Sequence, residues 1–117
     1  MGVAVVECTP ERVVLTMPVE GNTQPFGLLN GGASMALVET LGSIAANLHA
    51  GPGRYAVGIE ISGSHHKSAT RGLVTGVATP LTAGRTVATY EVVVSDESGG
   101  RLCTGRITCL LRDARSQ

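Results

Sequence analysis

Residues 24–50 read QPFGLLNGGASMALVETLGSIAANLHA, and the fold turns on them. After the turn-forming GLLNGG, apolar residues crowd together: Ala33, Met35, Ala36, Leu37, Val38, Leu41, Ile44, Ala45 and Leu48. Their density predicts one long helix over residues 31–49, opened by Asn30 as N-cap. Gly51 closes it, and Pro52 cannot continue it. A helix apolar almost all round has to be enclosed. Residues 3–8 and 12–19 are rich in β-branched side chains and predict two strands before the helix. YAVGIEISGSHHKS, LVTGVATPLT, RTVATYEVVVSD and RLCTGRITCLLR predict four after it, with turn signals at TRG, TAG and DESGG. The order β-β-α-β-β-β-β implies an α+β fold, an antiparallel sheet wrapped around a single central helix.

A chain of 117 residues accommodates one domain, residues 1–117, and shows no repeat or linker. A formal net charge of +0 and 3% aromatic content without Trp argue against nucleic acid and against an anionic membrane surface. Cys8, Cys103 and Cys109 lack metal-ligand spacing, so they read as buried free thiols in a reducing compartment. No three ligands are spaced for a metal, and no cofactor is implied. The first residues show no basic stretch followed by an apolar one, and the run from 33 to 48 is too short to span a membrane. The expected location is the cytoplasm.

Glu39 is the anomaly. A carboxylate among Ala, Met, Leu and Val demands a reason. The first turn of the helix offers one, because its N–H groups and positive dipole end favour an oxygen bearing negative charge. Gly31 and Gly32 let such a group approach the backbone. At 1.5 Å per residue, however, Glu39 lies about 12 Å along the axis from Gly31. One helix cannot present both to the same atom, whereas two helices antiparallel about a two-fold axis can, giving two identical sites per dimer. Ser43, one turn beyond Glu39, could hydrogen-bond the carboxylate or a water, and Gln24 could offer an amide donor from the preceding loop. Carboxylate, backbone donor and amide together would equip attack on an acyl carbonyl. The plainer alternatives are that Asn30 only caps, the glycines only turn the chain, and Glu39 pairs with a basic group.

QPFGLLNGGASMALVETLGSIAA, with VGIEISGSHHKSA, VTGVATPLTAGR and GRLCTGRITCLL, resembles the hotdog-fold acyl-CoA thioesterases of the PaaI-like group. The nearest branch is that of the 1,4-dihydroxy-2-naphthoyl-CoA and enterobactin-proofreading thioesterases. The resemblance runs nearly end to end. It implies hydrolysis of an acyl-CoA, with an aromatic or compact acyl group, by a homodimer or a dimer-of-dimers tetramer with sites at the interface. It implies that Glu39 is the catalytic carboxylate, as nucleophile or as general base for water, and that the Gly31 N–H and Gln24 polarise the thioester carbonyl. Ser43 would position water or the carboxylate. His65 would lie near the acyl or pantetheine end, with Lys67, Ser68 and Ala69 along the CoA arm.

One position departs: the family motif HGG is NGG here. Asn30 can cap the helix and donate a hydrogen bond, but it carries no proton at neutral pH. That weakens a general-acid role toward a leaving thiolate which needs little protonation. It also keeps a non-catalytic acyl-CoA-binding module open, while a hotdog hydratase or dehydratase, which wants a catalytic histidine, loses ground. Elsewhere, alternation sends His65 and His66 to opposite faces. His49 complements the helix dipole. Lys67, Arg71 and Arg85 could bind nucleotide phosphates, against a reading as surface charges that also covers Arg101, Arg106, Arg112 and Arg115. Met17 and Met35 read as core or pocket lining.

Overall fold

The computed structural model describes residues 2–114, so Arg115 lies outside the described residues. Six strands and one helix follow the expected order: β1 (Ala4–Thr9), β2 (Arg12–Pro18), α1 (Gly31–Ala50), β3 (Arg54–His65), β4 (Leu73–Ala83), β5 (Val87–Ser95) and β6 (Arg101–Asp113). The sheet runs β1-β2-β4-β5-β6-β3 with every pairing antiparallel. The two strands that flank the helix in sequence, β2 and β3, are therefore separated by three others, and β1 and β3 form the edges. This is the hotdog arrangement, a sheet packed around one long helix.

Local chemistry explains the helix ends. Asn30 stands in an extended conformation and its side chain accepts from the Gly32 N–H, while Gly51 closes the last turn by donating its N–H to the Asn47 carbonyl. Buried Leu37, Val38, Leu41, Ala45 and Ala46 form the stripe that meets the sheet. The sheet answers with alternating inward residues, Ala88, Tyr90, Val92 and Val94 on β5 and Leu15 and Met17 on β2. Gly42 makes the closest approach. A Cβ there would collide with Ile107 Cγ2, so the helix reaches its depth only because position 42 has no side chain. His49 contributes more than dipole complementarity, since its Nε2 lies 2.7 Å from the Gly84 carbonyl and ties the helix end to the β4–β5 turn.

Two expectations need correction. The helix is covered on one side only: Gly31, Gly32, Glu39, Thr40, Asn47 and Leu48 are exposed. One curved sheet encloses only part of a helix's circumference, and nothing else among the described residues covers the rest. Cys8 is also exposed, while Cys103 and Cys109 are buried. The reason is position, because β1 is an edge strand along which Val5 and Val6 are exposed as well. Burial raises the pKa of both inner thiols, and the charge of Glu39 raises that of Cys109 further.

Among the described residues one buried side-chain group in the core is unsatisfied. Tyr90 is fully buried and its hydroxyl has no hydrogen-bond partner among the described residues. Burial, then the neighbouring Cys109, pushes its pKa up to about 12, so it stays a neutral phenol. An orphaned buried hydroxyl costs free energy that a phenyl ring of the same shape does not. Tyr90→Phe is therefore expected to stabilise the fold by about 1 kcal/mol. The check is a rise in the urea midpoint at unchanged slope; a fall would mean that the hydroxyl is satisfied in solution.

Candidate active site

The segment before the helix is a pinched, ordered turn rather than a structureless loop. The Gln24 N–H donates to the Leu28 carbonyl at 2.8 Å and the Gly27 N–H to the Gln24 carbonyl at 3.0 Å, with a bridge between Thr23 and Leu29 at its base. Inside this turn Gln24 Oε1 accepts from the Phe26 and Leu28 N–H groups. With its carbonyl end held by two backbone donors, the side chain has only its Nε2 hydrogens left to offer. Asn22 and Ala69 anchor the base, their carbonyls accepting from Asn30 and Leu29 at 2.8 Å each.

At the helix start the first-turn donors can be accounted for one at a time. Gly32 N–H goes to Asn30 Oδ1 at 2.7 Å. Ala33 and Ser34 N–H both reach the Asn30 carbonyl, at 3.0 and 3.2 Å. Among the described residues Gly31 N–H is the donor left over, at the positive end of the dipole. A hollow of about 220 Å³ opens there, lined by Gln24, Gly31, His65, Lys67 and Ser68 together with Leu28, Ser34 and Leu102. His65 leans over Gly31: a Cβ on Gly31 would sit 3.4 Å from its Nε2. His66, one residue past β3, has its Nε2 2.9 Å from Thr104 Oγ1.

Lys67 is held by an acidic clamp. Its Nζ lies 3.0 Å from Asp96 Oδ2. Asp96 Oδ1 accepts from the Ser98 hydroxyl at 2.8 Å and from the Ser98 and Gly100 N–H groups at 3.0 and 2.8 Å. The lysine, then Ser98 and Gly100, hold this carboxyl well below the usual carboxylate range. The ammonium is thus positioned at the edge of the hollow by the DESGG turn, a pairing that sequence alone does not reveal.

Glu39 is elsewhere. It is exposed, contrary to the expectation of burial, and lines a separate hollow of about 200 Å³ with Gly58, Ile59, Glu60, Ile61 and Ile107. Within one chain the carboxylate and the Gly31 donor therefore do not meet, as the spacing along the helix requires. Ser43 lines neither hollow; its Oγ is 3.5 Å from Asn47 Nδ2. Gly32 is committed to the cap. Ala69 is buried and contributes its carbonyl to the loop anchor. Arg85 lies in the β4–β5 turn beside the far end of the helix, its carbonyl accepting from Arg54 Nη2 at 2.7 Å. Ser34, only 3% exposed, was missed in the sequence although a hydroxyl in an apolar first turn was the available signal. Among the described residues no group of three or more His, Cys, Asp or Glu side chains could hold a metal ion, and no helix is long and apolar enough to cross a membrane.

Known proteins match this chain in sequence and in fold. Residues 26–103 fit the model of the thioesterase superfamily. The proofreading thioesterase EntH of Cronobacter sakazakii is 47% identical over 109 residues, which cover 92% of this chain and 80% of that one. A thioesterase of Haemophilus influenzae superposes with a TM-score of 0.93 at 33% identity, over 97% of this chain and 80% of its own. A variant thioesterase of Pseudomonas aeruginosa gives 0.91 at 34% identity, over 96% and 82%.

Proposed function

Because the chain belongs to the thioesterase superfamily and is a thioesterase, we propose that it hydrolyses an aromatic acyl-CoA at a site shared between two copies. The observation that carries this reading is the one first-turn donor uncommitted among the described residues, Gly31 N–H, at a hollow that also holds the Gln24 amide, His65 and the clamped Lys67. The thioester carbonyl oxygen lies against Gly31 N–H and Gln24 Nε2, which favour the charge that grows on it. Lys67, Ser68 and Ala69 flank the CoA arm, and Arg85 of either copy is available to a nucleotide phosphate. Glu39 of the second copy either takes a proton from water as its oxygen bonds to the acyl carbon, or attacks that carbon itself. In the first case the C–S bond breaks directly, giving acid and CoA thiolate. In the second, attack by Glu39 breaks the C–S bond and expels CoA thiolate, and water then cleaves the acyl–glutamyl anhydride to the acid and free Glu39. Ser43 stands one turn from Glu39 to orient that water.

The free edge of the sheet supports the pairing. β3 is hydrogen-bonded on one side only, to β6. Its Val57, Ile59 and Ile61 are 40%, 57% and 40% exposed. An apolar, unpaired edge is a template for another strand. Antiparallel pairing about an axis at Ser62 would set the partner's Ile59 beside His65 and the partner's Glu60 beside Ser64. The Glu39 hollow of one copy would then adjoin the Gly31 hollow of the other. Homodimer is the assembly this edge supports; a dimer of dimers and a cytoplasmic location belong to the same proposal on family resemblance alone. The alternatives of a binding-only module and a hydratase give way to thioesterase relatives on both sequence and structure.

The test is thiol release from benzoyl-, hydroxyphenylacetyl-, dihydroxynaphthoyl- and hexanoyl-CoA. Aromatic esters are expected to give the higher kcat/KM. Hexanoyl-CoA leading the series would overturn the acyl assignment, and saturable binding without turnover would overturn the hydrolase.

A further inference from the structure

Met35 lies between the two hollows and lines neither. It is one turn past Gly31 and one turn short of Glu39, about 6 Å from each along the axis, so all three share one helix face. Its thioether rests in a notch on β3. A Cβ built on Gly63 would stand 2.7 Å from Met35 Sδ and 3.3 Å from its Cε, with Cys103 Sγ behind at 3.6 Å. Gly63 thus gives up its side-chain volume to the methionine, which is only half-buried. A long unbranched thioether seated in such a notch can swing without disturbing the backbone.

We propose that Met35 is a specificity-determining residue whose side chain forms the wall against which the acyl group packs, and so sets the size of acyl group accepted. This rests on the shared site proposed above. There the acyl carbon must lie between the Gly31 donor of one copy and Glu39 of the other, and Met35 occupies the helix face between those two positions. Its reach is adjusted by Gly63: the notch draws the thioether toward the sheet and leaves room above it. Filling the notch pushes the thioether into the acyl space, and shortening residue 35 enlarges that space.

The test is the ratio of kcat/KM for dihydroxynaphthoyl-CoA over benzoyl-CoA in wild type, Met35→Ala, Met35→Leu and Gly63→Ala, with thermal unfolding and light scattering on each. Met35→Ala is expected to raise the ratio by about tenfold, the scale on which a pocket discriminates by a few methylenes. Met35→Leu, similar in volume, is expected to keep the wild-type ratio, and Gly63→Ala to lower it. A purely structural residue would change melting temperature and scale both rates together. An unchanged ratio in folded Met35→Ala therefore overturns the assignment, even if Gly63→Ala fails to fold. Failure of the underlying thioesterase reading would show differently, as no turnover of either ester by wild type, and would overturn both.

Discussion

Glu39→Ala is expected to lower kcat/KM for the best ester by about 10³-fold, the range lost with a positioned general base or nucleophile. The loss should fall on kcat, because in the proposed site the carboxylate acts on the reacting carbon or on water while CoA is held elsewhere. Glu39→Gln is expected to lose nearly as much, since an amide keeps the shape but neither accepts the proton nor attacks. Folding should be untouched. Glu39 is exposed in the protomer, and a surface substitution away from caps and ion pairs changes stability by about 0.5 kcal/mol or less. That separates chemistry from structure, which a buried carboxylate would not have allowed. Retention of more than a tenth of wild-type kcat in either variant, with matched melting curves, would remove Glu39 from the reaction.

The exposure of Glu39 also shows what hydrophobic patterning can and cannot report. Apolar density along 31–49 gave the helix correctly, because burial anywhere leaves the same mark. It could not say what does the burying. The sheet covers Leu37, Val38, Leu41 and Ala45, but the stretch's remaining face, with Glu39 and Thr40, is left open in one chain. Cys8 misled in the same way, since an edge strand and an inner strand share β-branched composition. The Gly31 donor, by contrast, was legible because capping is local: Asn30 and two glycines settle which N–H groups are used within four residues. Contacts between distant segments were not. Nothing near Lys67 in sequence announces Asp96, and Arg85 falls beside the far end of the helix from the Gly31 hollow only once β4 and β5 are placed. The departure at Asn30 becomes simpler in the structure. Its Oδ1 accepts from Gly32 N–H, so Asn30 acts as the helix cap; in the proposed site it would serve the Gly31 donor through that geometry, which does not call for a histidine.

Two inactive variants should restore one another if the site is shared. In Glu39→Ala the donor half is whole, and in Gln24→Ala the carboxylate half is whole. The latter alone is expected to lose about 10²-fold, as when one donor to a developing oxyanion is removed. Co-expressed with different tags and purified through both, the pair gives a heterodimer in which the sites are no longer alike. One combines the intact Gln24 of the first chain with the intact Glu39 of the second; the other combines both lesions. Isologous symmetry makes the arithmetic simple, because one good site of two restores about half the wild-type activity per dimer. A site contained in a single chain predicts the opposite, since each protomer then keeps its own lesion and mixing adds nothing. If Glu39, Gln24 and Gly31 act on one carbonyl as proposed, their placement in separate hollows of one chain predicts the first result. Rescue should also depend on the β3 edge, so that Ile59→Lys introduced into both chains prevents pairing and removes it.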